Sequence, residues 1–352
     1  RGGPTIPASL WQPVAQAHLL QIPPLLRSSL ISHVSSRIVY LRLSSAISTH
    51  KTKSTPPLSY TRHTAVKMAS NASEADGEST DHSSSASKAA KLYADIAVDY
   101  NAAKSNPFKR YVEEPTFASV LSRGPRLSCQ HVLDLGCGAG HYCRMLKNEM
   151  NAEIVRGVDV SEHMLNEAKR QEIQMPLGIE YMCQDLLAPS AAANITKTFG
   201  PPDQADLVMA EYLIPYAANE KELNQFCATA SALVKQGGRF VSIVSLCSDS
   251  IMSNHMGLLE SKTLGWVATW EGEPHDGMCV DFSLFAEDGS SRCTFPNYVY
   301  SKETIECALR TSGFEEIEWV PMVAGHDSPD AIKSALDDIA KTPVGVFVAR
   351  RL

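Results

Sequence analysis

From His131 to about Ser245, short apolar runs alternate with stretches of helical period. His131-Val-Leu-Asp-Leu135, Val155-Arg-Gly-Val-Asp159, Ile179–Asp185, Ala205–Glu211 and Leu233–Val244 read as strands. Helices are predicted between them at about 140–150, 161–173 and 219–234. That alternation predicts a parallel sheet with helical crossovers. Upstream, Tyr93, Ile96, Ala97 and Tyr100 recur at i, i+3, i+4, i+7, the spacing of one helix face, so order is expected to begin near Lys91. Pro107 and Pro115 bracket Phe108–Glu114, and another helix is predicted from Thr116 to Leu121. Downstream, Val280–Phe285 and Cys293–Tyr300 alternate like strands joined by the turn residues 287–291, which predicts an antiparallel element. Ser301 is placed to cap the next helix, with Thr304 where a capping box would have Glu, and Gly313 to end it. Phe314–Val320 and Pro343–Ala349 read as the last two strands.

Composition changes the picture mainly at the start of the chain. Residues 1–67 hold eight Lys or Arg and no Asp or Glu, so the other 285 residues carry all 39 acids against 24 bases, a formal charge of −15. The acid-free, Ser- and Arg-rich opening fits either a transit peptide or non-native sequence before Met68-Ala-Ser70; in both cases it is expected to stand outside the fold. Residues 68–90 are small and polar and predict a disordered linker, leaving 91–352 as the folded domain. The acidic body argues against nucleic acid as a partner, because phosphate binding needs a basic patch. No apolar run approaches the ~20 residues of a membrane helix. Nine scattered cysteines without a Cys-x-x-Cys pair argue against zinc and a disulfide framework, and for a reducing, cytoplasmic setting, or an organellar one if the opening is a genuine transit peptide. No metal is expected.

The chemistry concentrates at Asp134-Leu-Gly-Cys-Gly-Ala-Gly140. A strand, a turn with glycine at 136, 138 and 140, and a helix from His141 let a ligand approach bare backbone. A dinucleotide fingerprint would need glycine at 141, where His141 stands, which speaks against a nicotinamide oxidoreductase. Asp159, 23 residues after Gly136, ends the second strand, placed to accept hydrogen bonds from ribose hydroxyls.

The Asp-x-Gly-x-Gly-x-Gly pattern resembles motif I of the class I S-adenosylmethionine (SAM) dependent methyltransferases, and the elements from 131 to 245 resemble that family in order and spacing. The resemblance implies a Rossmann-like α/β fold: a mostly parallel seven-stranded sheet, helices on both faces, and here an inserted antiparallel cap over 247–300. It implies SAM as cofactor, held by Asp134, Gly136, Cys137, Gly138, Gly140, Asp159, Val160, Met164 (or His163), Gln184, Asp185, Leu186 and Glu211. By the same resemblance Asp185 would reach the adenine amine, and the N-terminal helices would lid the pocket; Tyr93 and Tyr100 could equally be core contacts.

Glu211-Tyr-Leu-Ile-Pro-Tyr216 follows the fourth strand at the rim where open α/β sheets bind ligands, so Glu211, Tyr212 and Tyr216 are the candidate catalytic residues. His255 and His275 are further candidate bases or plain surface residues. A narrower resemblance, to toxoflavin-biosynthesis-type N-methyltransferases, rests on Tyr100–Arg110, Pro176–Tyr181, Phe295–Tyr298, Ser301–Thr304 and Gly313-Phe314. It implies Lys104, Phe108, Tyr212 and Tyr298 as pocket residues; Tyr93, Tyr100 and Tyr142 join them as substrate candidates. The expected activity is methyl transfer to a small polar molecule at nitrogen, with O-methylation and a non-catalytic SAM-binding scaffold as alternatives, in a monomer or homodimer.

Overall fold

The computed structural model describes residues 85–103, 105–127, 130–201, 204–288, 292–335 and 343–352; the expectations for residues 1–67 and 68–84, and for Lys104, lie outside them. Helix α1 spans Ser85–Ala103. It starts six residues before Lys91, because the small residues Ala86 and Ala89 are themselves buried. A π-helical turn, Lys109–Glu113, runs directly into α2, Glu114–Ser122. Pro115 sits at the first helical positions of α2, where its missing N–H matters least.

Strands β1 (His131–Leu135), β2 (Ile154–Asp159), β3 (Glu180–Cys183), β4 (Ala205–Glu211) and β5 (Val234–Ser245) are parallel neighbours in one sheet. The helices α3 (His141–Asn148), α4 (Glu162–Gln174), α5 (Ala191–Phe199) and α6 (Glu220–Leu233) make the crossovers. A short helix α7 (Asp249–Met252) follows, then strands β6 (Leu258–Ser261), β7 (Trp266–Thr269), β8 (Met278–Phe285) and β9 (Arg292–Val299). Helix α8 (Lys302–Thr311), strand β10 (Phe314–Val320), helix α9 (Asp330–Ser334) and strand β11 (Val344–Arg351) complete the chain. The seven-stranded order is β10-β11-β5-β4-β1-β2-β3, with β11 antiparallel to both neighbours, which realises the expected fold class.

Both faces of the sheet are covered. Val132 packs with α2, α3 and α4, through Phe117, Leu146 and Leu165. Leu133 and Leu135 face the opposite way, toward α5, α6 and α8, through Ile195, Phe226 and Leu309. A residue such as Leu146, with no exposed surface, contributes roughly 1.5–3 kcal/mol by leaving water. Strand β1 has β2 on one side and β4 on the other, so the chain changes direction across the sheet at that point; open α/β sheets place their ligand crevice at such a switch.

The expected cap exists but is larger than the sequence suggests. The predicted hairpin is β8–β9, paired from Met278↔Val299 to Phe285↔Arg292. Strands β7 and β6 extend it to a separate antiparallel sheet of four. Ser301 caps α8 as expected, its hydroxyl accepting from the Thr304 N–H at 3.2 Å. Asp276, from the cap, binds the Ser301 N–H and hydroxyl and the Thr304 hydroxyl, and so takes the place of the missing acid at 304.

Candidate active site

The glycine turn lies at the carboxyl end of β1. Gly136, Gly138 and Gly140 have φ of 80°, 52° and 78°, values that favour glycine. The Gly136 and Cys137 N–H groups bind the Val158 carbonyl, tying the turn to β2. Asp159 holds it from the side: Oδ2 accepts the Gly138 N–H and Oδ1 the Ser161 N–H, both at 2.8 Å.

Above this turn lies a cavity of about 940 Å³. Gly136, Cys137, Gly138, Asp159, Val160, Met164, Leu186 and Glu211 border it. From α1 come Tyr93 and Tyr100; Tyr142, Tyr212 and Tyr216 also stand on the wall, as does His141, which pairs with Glu114 at 2.8 Å. The structure therefore brings together eight of the predicted cofactor residues and all three catalytic candidates.

Four predicted cofactor residues stand elsewhere. Gly140 does not border the cavity; a Cβ there would lie 2.3 Å from the Tyr181 hydroxyl, so this glycine serves packing beneath the turn. Asp134 is fully buried and accepts from the Cys143 thiol at 3.1 Å, which places it under the turn. Asp185 folds back on the Leu187 N–H at 2.8 Å, and Gln184 accepts from Asn194 of α5. His163 is exposed, one helical position away from the buried Met164.

A second cavity, of about 620 Å³, adjoins the first, and Tyr100, Tyr212 and Tyr216 border both. Phe108, Trp266, Phe282, Leu284 and Phe295 give it apolar walls; Asn106, Lys109, Glu113, Ser245 and Asn297 give it polar points. Phe108 and Tyr100 are thus the substrate candidates found here, whereas Tyr93 and Tyr142 border the first cavity only. Tyr298 does not reach either one. In β9 the side chains of Phe295 and Asn297 face the cavity, and strand alternation turns Tyr298 to the other face, opposite Cys279. His255, on the exposed face of the cap, pairs with Glu273 at 2.9 Å, and His275 contacts the Glu273 carbonyl; neither borders a cavity.

On the wall of the second cavity, bound to two tyrosines that border the first, stands Glu113, which the sequence did not single out. It is 4% exposed and accepts hydrogen bonds from Tyr142 at 2.5 Å and from Tyr212 at 2.7 Å. Tyr212 holds φ of 57°, a left-handed conformation that costs a bulky residue of the order of 1–3 kcal/mol, and its N–H on the Ile243 carbonyl and its hydroxyl on Glu113 keep it there. Burial first, and then the Glu113 charge, push both phenols well above the ordinary tyrosine range, so they stay protonated donors. Tyr93 and Tyr216 join hydroxyl to hydroxyl, and Tyr100 stacks edge-on against Tyr93 and Phe295. Burial pushes the Cys137 thiol up to about 12, which makes it an inert wall residue. Among the described residues no cluster of ligands could hold a metal ion, and no helix is long and apolar enough to cross a membrane.

Residues 132–238 match the family model described as "Methyltransferase domain". A ubiquinone biosynthesis O-methyltransferase of Coxiella burnetii is 29% identical over 149 residues, 42% of this chain and 57% of that protein. The match thus spans little more than half the length of that relative. A trans-aconitate 2-methyltransferase of Variovorax paradoxus is 30% identical over 121 residues, 33% of this chain and 40% of its own. Among solved structures, the CcbJ methyltransferase of Streptomyces caelestis is similar with a TM-score of 0.49 at 18% identity, over 74% of this chain and 97% of that one.

Proposed function

We propose that this chain, which carries a SAM-dependent methyltransferase domain of class I, moves the methyl group of SAM to nitrogen on a small molecule. The first cavity has the features that cofactor needs. Asp159 would hold the ribose hydroxyls, because it ends β2 on the wall of the first cavity, at the carboxyl end of the parallel strands. Val160, Met164 and Leu186 offer an apolar ledge for the adenine, and Gly136 and Gly138 leave the backbone bare. SAM brings a methyl group on a cationic sulfur; as the carbon–nitrogen bond forms, the carbon–sulfur bond breaks and its electron pair leaves with the neutral thioether.

The protein's part is to aim the nitrogen and take its proton. Tyr100, Tyr212 and Tyr216 stand between the cavities and would turn ring faces or hydroxyls toward the reacting atoms. Glu113 borders the second cavity and would receive the proton that the methylated nitrogen sheds. This carboxylate is the observation that carries the reading. A nitrogen attacks through its free lone pair and sheds its proton only afterwards, so a carboxylate already facing the cavity is enough to receive it. An alcohol or phenol must be deprotonated as it attacks, and no histidine is among the described residues bordering the second cavity. The name of the ubiquinone biosynthesis O-methyltransferase keeps O-methylation as a second reading.

Transfer of labelled methyl from SAM, screened over amines, nitrogen heterocycles, phenols and carboxylic acids with mass analysis of the products, tests this. Products labelled at nitrogen support the proposal. Transfer confined to oxygen compounds would replace it with the second reading, and no transfer to any of them, with SAM bound, would favour a scaffold.

A further inference from the structure

We propose that the second cavity takes a planar, uncharged aromatic ring bearing a carbonyl or ether oxygen, and that this oxygen accepts a hydrogen bond from the Trp266 indole N–H. The inference rests on the reading of that cavity as the site of the methyl acceptor. Trp266 opens β7 on the inner face of the cap sheet, opposite Leu284, and borders the cavity. It is 6% exposed, and its Nε1 is buried without a hydrogen-bond partner among the described residues. Trp319, by contrast, donates to Glu306 at 2.8 Å. An indole N–H in such a place is costly to the free protein, and a ligand oxygen that reaches it removes the cost. Trp270 Nε1 also lacks a partner, but Trp270 does not border the cavity, so it serves as a control.

Shape and charge narrow the class. Phe108, Phe282 and Phe295 wall the space with rings, which favours a flat π-system. Lys109 and Glu113 are the charged side chains among the described residues bordering it, and they are opposite in sign. A neutral ring leaves that balance undisturbed, whereas an ionised one adds an unpaired charge to a largely dry space.

Calorimetric titration of the full chain, saturated with S-adenosylhomocysteine, with quinolin-4-one, quinoline and 1-decalone at neutral pH separates oxygen from ring. We expect quinolin-4-one to bind about five- to tenfold tighter than quinoline, the worth of one neutral hydrogen bond, and 1-decalone to bind weakest. Trp266→Phe should abolish the advantage of quinolin-4-one, and Trp270→Phe should keep it. S-adenosylhomocysteine affinity reports whether each variant is folded; if Trp266→Phe is not, the ranking of the three probes on the unaltered protein decides. Equal binding of quinoline and quinolin-4-one, an advantage that survives a folded Trp266→Phe, or no binding of either aromatic probe would overturn the proposal. Any of these with S-adenosylhomocysteine still bound leaves the methyltransferase reading standing; loss of that binding in the unaltered protein would strike the reading itself.

Discussion

Glu113 is the residue on which the proposed chemistry turns. Glu113→Gln keeps the shape but removes the charge and one acceptor atom for the two phenols. Methyl transfer should fall by about 10²-fold, the usual scale of a lost acid–base group, while S-adenosylhomocysteine affinity changes less than threefold. Unchanged turnover would remove Glu113 from the mechanism. Gly140→Ala should act on stability instead: φ is 78° and the added Cβ meets Tyr181, so urea unfolding should show a loss of about 1–3 kcal/mol. An unchanged midpoint would mean that the turn relaxes freely. Residues whose role is local were legible in the sequence. Gly136, Gly138 and Asp159 lie in one strand–turn–helix–strand unit, β1 to β2, and their spacing alone places them together. Glu113 was not, because its partners Tyr142 and Tyr212 lie 29 and 99 residues away. Tyr298 was misplaced because strand side chains alternate, and its neighbour Asn297 faces the cavity.

At the scale of elements, the π-helical turn Lys109–Glu113 joins the two cavities to the sheet, since Glu113 ties it to Tyr142 on α3 and to Tyr212 after β4. Those bonds require neutral phenols. Their folded pKa lies above the unfolded value of about 10, so their contribution is complete below about pH 10 and is lost as pH rises from there toward the folded value. The thermal midpoint should therefore stay level from about pH 7 to 9 and fall above 10, and the fall should be shallower in Tyr142→Phe. The same alkaline fall in Tyr142→Phe and in Tyr212→Phe would refute the assignment. Elements with a strong period were read correctly, including the β8–β9 hairpin and the cap of α8. Strands β6 and β7, of four residues each, are too short to show a period. Helix α5 was missed because few large apolar residues mark it: Ile195 is the one fully packed, and the helix end is held by Arg156, which donates to the Phe199 and Gly200 carbonyls from β2.

For the whole molecule, the sheet order puts β1, β2 and β4 side by side, and their carboxyl ends carry Gly136, Asp159 and Glu211 to one cavity. That convergence was legible because each strand ends in its own short motif. What lay beyond it was the cap's inner face, where Trp266, Phe282 and Phe295 meet α1 and the π turn only through the fold. The central claim is that the first cavity holds SAM, with Asp159 as its ribose anchor. Calorimetric titration of the full chain and of Asp159→Ala with SAM, S-adenosylhomocysteine and NAD tests it most directly. The account predicts micromolar binding of both adenosyl ligands, none of NAD, and a loss of about 1–3 kcal/mol in Asp159→Ala. No binding of either adenosyl ligand, or equal affinity in Asp159→Ala, would contradict it.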